Sequence, residues 1–557
     1  MFRDRRFQSG PFVNRLATSC IVAACVTLLL SNCSASNFAG AGAKNSKASS
    51  DNPSKKGGGA DDENGDSANQ NKKPGSSNGD DETIVNVGDA YKDGILKEDC
   101  KQSFTLPSAP TELTQVFNWQ ASGATAEYNQ VMATPVLGKL GAGDSAPTIV
   151  TPAFSSNCNY SSGGAYLYAI DGKTGAQKWV AAPKVLPSAS AALGDIDGDG
   201  TAEVVAFGLD GRVYAFSATG TQKWMSADAV IYVSSYYSTG PTVADLDGDG
   251  TVEVLAVNRI LKGSDGTSKV TLAGFVNSTS NPIAANADGM GGLEVIASNG
   301  IYKSDGTLLC AFTTAIDMFA SARLRPGDSF ETIIGRSGDQ VIGYNGQSCA
   351  QVFSVAFPGT GGGPYNVGDY TGSGELKFGA AGKVNFAAFN GDGSSLWQKP
   401  TKDASSAKTG ATTFDFNGDG KYEIVYNDED YLRIYDGASG SVLYQMPNSS
   451  GTLWEYPVIA DVDGDGHANI VVHANDCFDY TNRSARGIRV FQAPDNSWVG
   501  TRSIWNQHAY NPLLVKSNGG LTGIDPDTIW KPWLKAKYLT GFRNNIPMPK
   551  IKAECNP

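Results

Sequence analysis

The 557-residue chain carries a net charge of −12, an isoelectric point near 4.9 and 66 glycines. That acidity argues against nucleic acid as a partner, because phosphate binding needs a basic surface. Charged residues make up only 18% of the chain, a composition suited to many short strands joined by tight turns.

The first segment reads as a leader. Arg3, Arg5, Arg6 and Arg15 precede a mainly apolar run from Leu16 to Leu30. That run has the length of a signal-peptide core and is too short to span a bilayer. It ends in Leu30-Ser31-Asn32-Cys33, which resembles the lipobox of bacterial lipoproteins, although Asn32 stands where Gly or Ala is usual. The resemblance implies a signal peptide over 1–32, cleavage before Cys33 and lipidation of its sulfur. Ser34 follows, which implies the outer membrane of a bacterial cell envelope, on the surface or facing the periplasm.

Residues 33–95 are Ser, Gly, Asn, Asp and Lys with almost nothing apolar. Such a segment cannot bury enough surface to offset its ordering entropy, and it is expected to be a disordered tether. A flexible coil of this length spans about 40 Å. Cys20 and Cys25 leave with the leader and Cys33 takes the lipid. Cys100, Cys158, Cys310, Cys349, Cys477 and Cys555 remain, an even number with no metal-type spacing. They are disulfide candidates for an oxidising compartment, with the connectivity open.

From 96 to 496 the chain repeats. Asp195-Ile-Asp-Gly-Asp-Gly-Thr-Ala-Glu203 returns as Asp245-Leu-Asp-Gly-Asp-Gly-Thr-Val-Glu253. It returns again as Asp415-Phe-Asn-Gly-Asp-Gly-Lys-Tyr-Glu423 and Asp461-Val-Asp-Gly-Asp-Gly-His-Ala-Asn469. Worn copies stand at Gly138–Asp144, Asn286–Glu294, Arg323–Glu331 and from Asp369 to Gly374. Carboxylates at positions 1, 3, 5 and 9 with glycines at 4 and 6 suit a hard cation, for which calcium takes six to eight oxygens on a tightly curled backbone. The apolar flanks are strand-like, which separates these loops from a helix–loop–helix EF-hand. Each unit of roughly 37–51 residues reads as four strands. The fold class is therefore all-β, a β-propeller of four-stranded blades; eight are expected and seven remain possible. Leu113-Thr-Gln-Val-Phe-Asn-Trp119 resembles a fourth strand and is expected to complete the last blade, removing a free edge.

Loops of this form between the first and second strands resemble the FG-GAP/VCBS repeats of integrin α-subunit propellers. In that family the side chains at positions 1, 3, 5 and 9 and the carbonyl at position 7 hold the ion. The resemblance implies about four calcium sites. The first two are Asp195, Asp197, Asp199, Thr201, Glu203 and Asp245, Asp247, Asp249, Thr251, Glu253. The third is Asp415, Asn417, Asp419, Lys421, Glu423. The fourth is Asp461, Asp463, Asp465, His467, weaker because Asn469 replaces the acid. The worn copies are expected to hold their turns without metal.

A second resemblance lies in Leu167-Tyr-Ala-Ile-Asp-Gly-Lys-Thr-Gly-Ala-Gln-Lys-Trp179 and the looser Val213–Trp224, which look like quinoprotein-type propeller repeats. Their tryptophans are expected to pack between blades; no quinone site accompanies them. The extension 497–557 contains Thr501-Arg-Ser-Ile-Trp-Asn-Gln-His-Ala-Tyr510, similar to a segment that follows such repeats in some secreted bacterial proteins. Its aromatics are expected to pack on the propeller, with His508 buried and hydrogen-bonded.

The three histidines, His467, His473 and His508, form no recognisable catalytic constellation, and no nucleophile elbow, zinc helix or phosphate loop is present. The leading reading is non-enzymatic: a calcium-stabilised, surface-anchored binding or adhesion module for protein or glycan, touching the membrane through its lipid alone. The alternatives are a polysaccharide lyase or hydrolase on a calcium propeller, and an outer-membrane assembly scaffold.

Overall fold

The computed structural model describes residues 112–548, apart from 142, 231–237, 277–279, 291, 478–484, 517–519 and 522–540. It also gives the backbone of a strand pair, Tyr91–Lys92 with Ile95–Leu96. The leader, Cys33, nearly all of the tether, Cys100, Cys555, Trp530 and Trp533 lie outside the described residues.

Eight antiparallel sheets follow one another as blades 1 to 8. Blade 2 is typical: Ala192–Gly194, Glu203–Phe207, Val213–Phe216 and Gln222–Met225 pair in chain order from the centre outward. The innermost strand is short and wholly buried, the outermost mostly exposed. Val, Ile and Ala alternate onto the faces that stack between blades, so Val205 and Val213 of blade 2 meet Val243 and Val254 of blade 3 in one cluster. The inner strands of blades 1 to 4, and of blades 5 to 8, pack side by side around the ring.

Closure is by an N-terminal strand. Thr114–Trp119 pairs with Gly487–Gln492 as the fourth strand of blade 8, whose other strands are Val458–Ala460 and Asn469–Ala474. The Cys158–Cys477 disulfide, 319 residues apart in sequence, links blade 1 to blade 8 across the same seam.

One contact recurs around the ring and explains the Gln-Lys-Trp repeats. Trp224 of blade 2 lies across the outer turn of blade 3, its Nε1 donating to the Gly263 carbonyl at 2.8 Å. A Cβ on Gly266 in that turn would sit 2.4 Å from the indole, so the ring requires glycine there. Trp179 and Trp397 make the same bond to Ala218 and Gly437 of the next blade. Phe117 of the closing strand lies against Gly175 of blade 1 in the same manner. Between blades 4 and 5 the contact is covalent: Cys310 holds the tryptophan's strand position and bonds to Cys349 of the next turn. Two of the six cysteine candidates' pairings, Cys158–Cys477 and Cys310–Cys349, are thereby fixed.

Candidate metal loops and the plugged channel

In an antiparallel meander the first–second connections of every blade lie at one end of the ring, and these connections are the Asp/Gly loops. Position 1 organises each loop. Asp195 Oδ1 accepts from Gly198 N at 2.8 Å and its Oδ2 from Gly200 N at 3.0 Å. Asp245, Asp415 and Asp461 do the same for their own glycines. Both glycines in each loop have positive φ, which is why Gly stands at positions 4 and 6. Position 9 reaches back: Glu203, Glu253 and Glu423 each accept from the backbone N–H of position 2 at 3.0–3.1 Å. Asn469 Oδ1 does so at 2.9 Å, leaving only an amide nitrogen where the other loops have a second oxygen.

Asp195, Asp197 and Asp199 bring ligand oxygens within 4.8 Å of one another, as do Asp245, Asp247 and Glu253, and Asp461, Asp463 and Asp465. Each group could hold a metal ion, and the donors are all oxygens, which suits a hard divalent cation. Asp415, Asp419 and Glu423 of blade 7 are not gathered in this way. The other expected ligands serve the turns. Thr201 and Thr251 donate their hydroxyls to Asp199 and Asp249. Asn417 Oδ1 accepts from Asp419 N at 3.0 Å, and Lys421 N donates to Asp419 at 2.8 Å. His467 N donates to Asp465 at 2.9 Å, while its Nδ1 lies 2.7 Å from the Trp498 carbonyl.

The loops differ in charge. In blade 7, Asp415 and Glu423 are 5% and 6% exposed. Burial first, then repulsion by Asp419, pushes Asp415 up to about 7; burial, then repulsion by Asp415 and Asp419, pushes Glu423 well above its usual range. In blade 8, burial and the neighbouring carboxylates push Asp463 up to about 6. A bound cation would relieve both. In blades 2 and 3 an ammonium already stands among the carboxylates. Lys223 Nζ bonds Asp197 and lies 2.9 Å from Glu203 and 3.4 Å from Asp199. Lys269 Nζ lies 2.9 Å from Asp247 and 2.7 Å from Glu253. Desolvation opposes these charges, yet the hydrogen bonds the lysines donate to the carboxylates hold both above their ordinary range.

The centre of the ring is filled by the C-terminal extension. Trp505 exchanges two backbone hydrogen bonds with Leu137 of blade 1, each 2.9 Å. Asn506 does the equivalent for Leu193 of blade 2, and Gln507 Oε1 accepts from Val243 N of blade 3 at 2.8 Å. The Trp-Asn-Gln run thus meets three successive inner strands with three successive residues. On the far side the Phe542 carbonyl accepts from Val367 N of blade 6. Thr412 of blade 7 donates to the Arg543 carbonyl, and Asn545 donates to Ile459 O of blade 8. Arg543, 2% exposed, lies between them, donating to the carbonyls of Phe319, Tyr365 and His508. Trp454, from the connection before blade 8, donates to Ser238 O, before blade 3, and so spans the opening at the end opposite the Asp/Gly loops.

His508 is 3% exposed with Nε2 3.0 Å from the Trp454 carbonyl; His473, fully buried, has Glu455 at 3.8 Å. Burial pushes both imidazoles down to about 3 from 6.5. The unfolded chain takes up these protons near pH 6.5 and the folded ring only near 3. Their stabilisation is therefore complete above pH 6.5 and is lost as pH falls toward 3, on the order of 5 kcal/mol for each. Glu455, pushed up to about 8 by burial, runs the other way and costs stability as pH rises from 4.5 to 8. Denaturant titrations across this range should show a steep acid limb, and His508→Gln should flatten it. An unchanged limb would assign acid unfolding elsewhere.

Residues 195–256 and 415–472 match the model of the FG-GAP-like repeat. With its eight blades, the chain is a β-propeller that carries FG-GAP-like repeats. No curated protein sequence matches it. Among solved structures it is similar to the V. cholerae biofilm matrix protein Bap1, at 19% identity and a TM-score of 0.66, over 79% of this chain and 99% of that one. The rhamnogalacturonan lyase YesW matches at 15% identity and a TM-score of 0.49, over 68% of this chain and 75% of the other. A Bacillus licheniformis rhamnogalacturonan lyase matches at 16% identity with the same coverage and TM-score. At such identities the likeness is one of fold.

Proposed function

We propose that the chain is a calcium-stabilised binding module of the bacterial cell envelope, anchored through lipid on Cys33, that engages a protein or glycan through its blade loops. The observation that carries this reading is the filled centre. The concave middle of a propeller is its natural pocket for a small substrate. Here Trp505–His508 and Phe542–Asn545 occupy it, and each inner-strand bond they make would have to be broken to empty it. What remains for recognition is the loop surface at the two ends and the outer blade edges. Disulfides between blades accord with an oxidising compartment. The fold shared with a biofilm matrix protein accords with an extracellular binding role.

The test is binding of the full chain to immobilised matrix polysaccharides and to envelope protein extracts, with calcium and then with chelator, while polymer length is followed. Calcium-dependent retention with polymer length unchanged supports the binding module. Shortening of the polymer would transfer the protein to the lyase or hydrolase class. Retention on neither glycan nor protein would end the proposal.

A further inference from the structure

The strand register shows why some loops hold an ammonium and others do not. In blade 2, Ala215 pairs with Trp224 and Phe216 with Gln222, so Lys223 is the extra residue of a β-bulge. A bulge re-aims one side chain, and this one aims at the first–second loop of its own blade. Lys269 is the bulged residue of blade 3, between the pairs Ile260–Val270 and Leu261–Ser268. Lys178 is the bulged residue of blade 1, and its Nζ lies 3.1 Å from Asp144 and 2.8 Å from Thr148 Oγ1. At the same register blade 7 has Leu443 and blade 8 has Val116, both packed among apolar neighbours.

Blade 6 reaches the same end by another route. Its loop places Lys377 at position 9, where the loops of blades 2, 3 and 7 have an acid. The 5% exposed Lys377 donates to Ser373 Oγ at position 5 and to the Glu375 carbonyl at position 7, both at 2.9 Å. These are two of the positions whose oxygens the FG-GAP resemblance assigns to the cation. An ammonium therefore lies against the loop oxygens in four blades, supplied from two unrelated chain positions. Among the described residues, no lysine or arginine pairs with Asp415, Asp419, Glu423, Asp461, Asp463 or Asp465.

We infer that the four intact loops are of two kinds, distinguished by the bulged residue: lysine-closed loops in blades 2 and 3 that stand without metal, and open loops in blades 7 and 8 that take a divalent cation. Lys223 and Lys269 compete with calcium for the carboxylates of Asp197, Glu203, Asp247 and Glu253. An ion entering either loop must displace an ammonium that is hydrogen-bonded and partly desolvated, whereas in blade 7 it meets Asp415 and Glu423, both buried, with no ammonium between them. This rests on the calcium reading above and changes its count: four intact motifs, but tight binding at about two of them.

The experiment is calcium titration calorimetry on the full chain after chelation, for the natural protein and for Lys223→Met with Lys269→Met. Methionine keeps most of lysine's apolar stem without the charge, so the bulge keeps its packing. A parallel melt in chelator reads the lysines without calcium. The natural chain should bind about two ions tightly and the double variant about four. The variant should also melt lower than the natural chain in chelator and recover on adding calcium. About four tight sites in both proteins, with equal melting in chelator, would overturn the lysine assignment and leave the calcium reading intact. Two sites appearing only in the variant would keep the lysine assignment and remove calcium from blades 7 and 8. No binding in either protein would overturn both.

Discussion

Replacing Arg543 by methionine should lower the stability of the ring by about 4 kcal/mol. The guanidinium is buried and, among the described residues, touches no carboxylate. It donates to Tyr365 O at 2.7 Å, Phe319 O at 3.0 Å and His508 O at 3.3 Å, with the rings of Phe542 and Tyr456 4.7 and 5.6 Å from its centre. Methionine keeps the apolar stem but leaves three carbonyls without this donor, at about 1–3 kcal/mol each before relaxation. Because these carbonyls belong to blade 5, the approach to blade 6 and the tail itself, the loss should loosen the plug as a unit. The check is the denaturant midpoint, with proteolysis of the tail followed in parallel. An unchanged midpoint and a protected tail would mean that apolar contacts alone hold it.

Excising Thr114–Trp119 from the full chain should have a still larger effect. The segment forms the whole outer strand of blade 8, buries Trp119 at 3% exposure and sets Phe117 against Gly175 of blade 1. Without it Gly487–Gln492 becomes an open edge, and blades 1 and 8 lose the strand that joins them. A strand's hydrogen bonds and an aromatic anchor amount to a large part of a domain's net stability, about 5–15 kcal/mol. The excised chain should therefore aggregate or melt early, as scattering and circular dichroism would show. A monomer with the natural melting curve would mean that the Cys158–Cys477 bridge suffices for closure.

The blade count and the closing strand were legible because the Asp/Gly loop is a local signal. It punctuates the chain wherever it survives, and even the worn copies at Asn286 and Asp369 keep the glycine and apolar frame that places their strands. The tryptophans of Gln177-Lys-Trp179 and Gln222-Lys-Trp224 were legible as blade contacts for the same reason. The lysines beside them were not. Their role depends on a bulge, and a bulge is a property of two paired strands that a single strand's pattern does not carry. Arg543 and Trp454 were hidden for a related reason. Their partners lie at Phe319, Tyr365 and Ser238, more than 170 residues away, and no local periodicity joins them. The cysteine pairs lay between these cases: six candidates were visible, but only the ring's geometry places Cys158 beside Cys477.

The most direct measurement is thermal melting of the full chain, disulfides intact, in calcium and then in excess chelator. Two sites filled at about a hundred times their dissociation constants add roughly 5 kcal/mol by linkage. Chelation should then lower the melting temperature by roughly 5–10 °C, with full recovery on adding calcium. Identical melting curves would mean that the Asp/Gly turns and the lysines hold every loop unaided, and calcium would have to be withdrawn from this fold.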